Sequence, residues 1–77
     1  MKNLERVRWR SRRGLLELDI VLGRFIDAFY MQLNDAELLV FEALLDMPDN
    51  PLWDMIAGRQ ESTQEYQRAL LEKIKSA

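Results

Sequence analysis

The residues able to do chemistry gather at one place. Arg12-Arg13-Gly14-Leu15-Leu16-Glu17-Leu18-Asp19 sets two guanidinium groups and two carboxylates around one glycine. Such groups make charge-assisted hydrogen bonds, so the cluster suits recognition or orientation of a polar partner. The chain has 77 residues and contains no histidine and no cysteine. Imidazole acid–base chemistry, thiolate nucleophiles, disulfides and Cys/His zinc sites are therefore excluded. A carboxylate-only catalyst remains open, but a chain this small has little room for an enclosed pocket. A second acidic group, Asp46, Asp49 and Asp54, has the donor type of a hard-cation site. Helix caps and solvated turn residues explain it more simply. Nucleotide-binding glycine loops, EF-hand loops and nucleophile elbows are absent from the sequence.

Local helix chemistry accounts for part of the first cluster. Gly14 is an acceptable N-cap, which puts Glu17 at N3, where its carboxylate reaches back to the cap amide. Glu17 and Asp19 also suit the positive end of a helix dipole. Arg13 and Glu17 are four residues apart and would pair across one turn if the preceding helix ran through. None of this explains why Arg10, Arg12 and Arg13 crowd together, where like charges repel.

The elements that position these residues read as helices throughout. Asn3 caps a first helix over Leu4 to about Arg12, with Leu4 and Val7 as its apolar positions. Trp9, to one side, reads on its own as an anchor against the core. A second helix runs from Leu15 to about Met31. Its stripe is Leu15, Leu18, Leu22, Phe25, Ile26, Phe29 and Leu33. Gly23 interrupts it, and a close helix crossing or a kink would account for that glycine. Asn34 and Glu37 form a capping box for a third helix with Leu38, Phe41, Leu44 and Leu45 inward, widened by Leu39 and Val40. Pro48 stops it near Asp46-Met47. A short fourth helix is expected over Pro51 to Ala57, with Asn50 as cap, Pro51 at N1 and Gly58 at C′. Leu52, Trp53 and Ile56 face the core. Ser62-Thr63-Gln64-Glu65 reads as a capping box for a fifth helix to about Lys75, carrying Tyr66, Ala69, Leu70 and Ile74 inward. No segment alternates with period two. The expected fold is an all-α compact five-helix bundle, a single small domain over residues 1–77.

The formal net charge is −2, unevenly divided. Residues 1–24 hold seven Lys/Arg against three Asp/Glu, and residues 25–77 hold four against ten. A basic end on an acidic body suits an anionic partner. A solvated basic helix face is the plainer reading. The segment before Gly14 has no apolar h-region, and no apolar run spans a membrane, so a cytoplasmic location is expected.

The pattern Arg6-x-x-Trp9-x-x-Arg12-Arg13-Gly14-x-x-Glu17-x-Asp19 resembles the small succinate dehydrogenase assembly factors, the SdhE-type flavinylation factors defined by an RGxxE motif. The likeness continues through Leu33-Asn34-Asp35-x-Glu37, Phe41-Glu42-x-Leu44-Leu45-Asp46 and Pro48-Asp49-x-x-Leu52-Trp53, in order and spacing. It covers residues 4–57; after Gly58 the likeness is less clear, and no function is assigned there.

The resemblance implies a five-helix fold and a chaperone rather than an enzyme. Family members bind the flavoprotein subunit of succinate dehydrogenase, and often that of fumarate reductase. They promote covalent attachment of FAD to a histidine of that subunit. The factor supplies no catalytic group and binds no cofactor or metal of its own. It selects an arrangement of the partner in which flavin and histidine are aligned. Arg13, Gly14 and Glu17 match the RGxxE positions and would lie at the partner surface. There a side chain on Gly14 would obstruct close approach, and Arg13 and Glu17 would make charge-assisted bonds. Arg6, Trp9, Arg12 and Asp19 are second-rank partner contacts. The alternative is an antitoxin-like regulatory protein-binding module. Nucleic-acid binding is weaker still, since the remainder is acidic and no recognition helix is evident.

Overall fold

Each helix begins where the chain offers a cap, a turn or a tertiary bond to hold it. The computed structural model describes residues 3–77, and all its regular structure is helical. Helix α1 is Leu4–Ser11, α2 is Leu16–Phe29, α3 is Asp35–Leu45, α4 is Asp49–Ile56 and α5 is Glu65–Ser76. A single 3-10 turn, Tyr30–Gln32, follows α2 directly.

Two expected caps are present as read. Asn3 Oδ1 accepts the Arg6 amide at 3.0 Å and starts α1. Asn34 and Glu37 exchange side-chain and backbone bonds at 2.8 and 3.0 Å, a complete capping box for α3. Gly58 ends α4 with φ +83. Its amide donates to Met55 O at 3.3 Å and the Arg59 amide to Asp54 O at 2.8 Å, a Schellman closure.

Three starts differ from expectation. Leu15, not Gly14, is the N-cap of α2, and no side chain caps it. Glu17 therefore stands at N2 and closes no capping box. Helix α4 begins at Asp49, two residues before Pro51, so Pro48 is the cap and Pro51 sits at N3. The ring is tolerated there because first-turn amides lack an intrahelical acceptor anyway. Gln64 precedes α5 without a side-chain cap bond. Ser62 Oγ instead accepts the Gln64 amide at 3.2 Å and donates to the side chain of Gln67, folding the loop onto itself.

Helices α2 and α5 form the centre: α2 packs against α1 and α5, and α5 also packs against α3 and α4. The core runs through Leu18, Leu22, Phe25 and Ile26 of α2, Phe41 and Leu44 of α3, Leu52 of α4 and Leu70, Leu71 and Ile74 of α5. Phe25 and Phe41 are completely buried, with ring centroids 5.0 Å apart, and Tyr30 lies 6.2 Å from Phe41. The Tyr30 hydroxyl accepts the Asn3 amide at 3.0 Å, tying the start of α1 to the turn after α2. Leu15, Phe29, Val40 and Trp53 are partly buried against this core. Leu39 and Tyr66 are exposed rather than inward, and so is Ala69. Leu71 and Met55 take buried places. The outward turn of Leu39 follows from its neighbours: Leu38, Phe41 and Leu45 already fill the inward arc, and Leu39 lies about 100° from Leu38.

Gly23 does not mark a close crossing. Helix α2 continues through it, and a Cβ built there would meet nothing within 4 Å.

Candidate partner-binding surface

The turn between α1 and α2 carries the motif. Helix α1 ends because Arg12 is extended, at φ −86 and ψ 99, with its amide bonded back to Trp9 O at 3.2 Å. Gly14 then adopts φ +87, a conformation that glycine takes without the strain a Cβ brings. Around Gly14 a built Cβ meets nothing within 4 Å, so the backbone conformation, not internal crowding, calls for glycine. The helix does not run through, and Arg13 does not pair with Glu17.

Arg13 turns inward instead. Its side chain is 14% exposed and its Nε donates to Asp49 Oδ1 at 2.5 Å. One terminal nitrogen donates to Leu45 O at 2.6 Å and the other to Met47 O. The guanidinium thus closes the carbonyl end of α3, where the helix dipole favours a cation, and bridges to the first residue of α4. Asp19, one turn into α2, accepts the Arg13 amide at 2.7 Å and the Gly14 amide at 3.3 Å. Arg13 and Asp19, two of the seven residues expected to contact a partner, are therefore engaged inside the chain.

The other candidates face outward. Trp9 is 77% exposed, so it is not the core anchor its type suggests. Glu17, Arg12 and Arg6 are exposed, and their side chains have no polar partner among the described residues. Leu16, between Gly14 and Glu17, is 73% exposed, and Ile20 follows one turn later on the same outward face. The sequence reading passed over this apolar pair. The α2 stripe itself was the available signal, since positions 16 and 20 lie opposite Leu18, Leu22 and Phe25 on a helical wheel. Arg8, Ser11, Arg12, Gly14, Asp19 and Gly23 line an open concavity of about 530 Å³ between α1 and α2.

The crowded arginines are also explained. Arg10 pairs with Asp46 and lies 3.8 Å from Glu42, Arg8 pairs with Asp27 at 2.6 Å, and Arg13 holds Asp49. Neighbouring arginines thus reach different acidic groups, and of Arg10, Arg12 and Arg13 only Arg12 is left to solvent. Asp46, Asp49 and Asp54 each pair with an arginine, the last with Arg59 at 2.8 Å. No group of three potential metal ligands occurs among the described residues.

Over residues 5–77 the chain matches a family model described as the flavinator of succinate dehydrogenase. That match includes α5, which the sequence resemblance left out. A relative from Ralstonia nicotianae, named FAD assembly factor SdhE, is 43% identical over 56 residues, covering 73% of this chain and 59% of its own length. A relative of the same name from Coxiella burnetii is 37% identical over 70 residues, covering 91% of this chain and 85% of its own. One from Methylococcus capsulatus is 33% identical and covers 99% of this chain and 92% of its own. No solved structure matches the chain.

Proposed function

This chain belongs to the family of succinate dehydrogenase flavinators, and from that premise we propose that it is an assembly factor promoting covalent FAD attachment to the flavoprotein subunit of succinate dehydrogenase. The single observation carrying the proposal is that family match together with an RGxxE turn whose Glu17 faces outward without an internal partner. The working surface is Gly14 and Glu17, with Trp9, Arg12 and Arg6 around them. Exposed Leu16 and Ile20 give it an apolar component suited to a protein partner. Arg13 and Asp19 belong to the same surface as its internal support.

The mechanism is orientation. The chain has no histidine or cysteine to offer as catalyst. Its packed helices hold the turn, and binding energy spent there selects the flavoprotein arrangement in which flavin and histidine are aligned. The FAD on which the factor acts is the one bound by the partner flavoprotein. The protein acts in the cytoplasm, and the flavoprotein of fumarate reductase is a second client. None of the relatives named here supports the antitoxin-like reading.

The test is an in vitro flavinylation time course with purified flavoprotein subunit and FAD, read as covalent flavin fluorescence in a denaturing gel. Wild-type chain should accelerate labelling. Glu17→Ala should melt like wild type and lose most of the acceleration. A wild-type chain that leaves the rate unchanged overturns the proposal.

A further inference from the structure

Arg13 is fixed at both ends. Its backbone amide is held by Asp19 of α2, and three of the five N–H donors of its guanidinium are taken by Asp49, Leu45 O and Met47 O at the α3–α4 junction. Gly14 is the next residue, and its amide is held by the other oxygen of Asp19. The left-handed turn that presents Glu17 is therefore clamped between α2 and a junction 36 residues further along the chain. Asp49 is the only one of these acceptors that carries a charge at the junction.

We propose that Asp49 is a positioning residue of the motif surface: acting through Arg13, it holds the Gly14 turn in the geometry the flavoprotein docks against. The inference rests on the partner-binding role assigned to that surface above. It inverts the reading of Arg13 as a contact. A direct contact would need the guanidinium to leave Asp49, so removing Asp49 would free Arg13 and preserve or improve binding. A clamp behaves oppositely: loss of Asp49 leaves Arg13 without its anionic partner, loosens the turn and mimics loss of Arg13. Hydrogen-bonded networks act as units, so the two losses should not multiply.

The test uses the full chain as Asp49→Ala, Arg13→Ala, the double variant and the conservative Asp49→Glu, at a temperature where circular dichroism shows all four folded. Asp49→Asn replaces Asp49→Ala if the latter unfolds. Amide hydrogen exchange on the chain alone should rise about tenfold at Arg13 and Gly14 in Asp49→Ala, with Leu70 and Ile74 unchanged. With flavoprotein and FAD, the half-saturating concentration of Asp49→Ala should rise about tenfold at an unchanged plateau rate, as expected for lost orientation rather than lost chemistry. The double variant should be no worse than Arg13→Ala, and Asp49→Glu should recover both readouts in part. Unchanged exchange at Gly14 in Asp49→Ala overturns the clamp. So does an Asp49→Ala chain that saturates like wild type while Arg13→Ala does not. A wild-type chain without flavinylation activity would sink the function proposed above, while the exchange rates still decide whether Asp49 holds the turn.

Discussion

Gly14 shows at the scale of one residue how a conformational requirement and a contact requirement can be separated. Its φ of +87 strains any L side chain, while the space around it is open. Gly14→Ala should therefore lose roughly 1–2 kcal/mol from backbone strain alone. In a domain of this size that lowers the melting temperature by about 4–8 °C for each kcal/mol. Gly14→Asn should lose less, because asparagine visits the left-handed region more readily. Thermal melts of the two variants check this. If a partner packs against the turn, Gly14→Asn should still fail in flavinylation despite its better fold. Equal melting of wild type and Gly14→Ala would mean that the turn relaxes to negative φ. The RGxxE spacing was legible from the residues themselves. The inward fate of Arg13 was not, because its acceptors include two backbone carbonyls, which carry no sequence signal.

Helix α3 follows its expected face at four inward positions and departs from it at Leu39, which is exposed. Leu38, Phe41, Leu44 and Leu45 are all buried, as their spacing required, and the capping box at Asn34 sets the phase from which that face is counted. Phe41 contacts Phe25 and Tyr30 and has no exposed surface, so Phe41→Ala should cost roughly 3–5 kcal/mol, measured by urea or thermal unfolding. A native domain has only about 5–15 kcal/mol to lose, so partial unfolding at 37 °C is expected. A melting curve like wild type's would place the ring outside the core. The start of α4 was harder to read. Asn50-Pro51 is a good cap signal, yet the helix begins at Asp49. Pro48 already fixes an extended cap residue, at φ −60 and ψ 158, and Asp49 gains the Arg13 guanidinium by joining the helix. A tertiary ion pair thus coincides with a local boundary two residues from the one expected. Boundaries are the weakest part of any such reading, since caps compete on differences of about 1 kcal/mol.

At the scale of the molecule, the basic start and acidic remainder meet each other. Arg8, Arg10 and Arg13 reach Asp27, Asp46 and Asp49, so the charge asymmetry of the sequence is largely an internal complementarity. Arg6 and Arg12 are left facing solvent, beside Trp9. That leaves a small mixed patch instead of a continuous basic stripe, and it is a poor match for a phosphate backbone, which needs many cations in register. The whole molecule also bears on the flavin. The concavity at the motif is open to solvent, and the chain alone should take up no stoichiometric FAD by titration calorimetry. A tight one-to-one complex without the flavoprotein would make this chain a flavin carrier rather than an orienting chaperone.

The sequence by itself determined the five helices, most of their buried residues and the family to which the chain belongs. Those properties lie along the chain: a period of 3.6 and a cap three residues from its partner are complete within a short stretch, and the family pattern is a series of such stretches in order over residues 4–57. Tertiary structure alone decided which charges are available to a partner. Arg12 and Arg13 are adjacent and chemically identical, yet one lies in solvent and the other closes the end of α3. The difference is made by a junction 32 to 36 residues away, whose carbonyls and carboxylate meet Arg13 only in the folded chain. A side chain's commitment depends on what the fold brings to it, and that cannot be read from its neighbours in the chain.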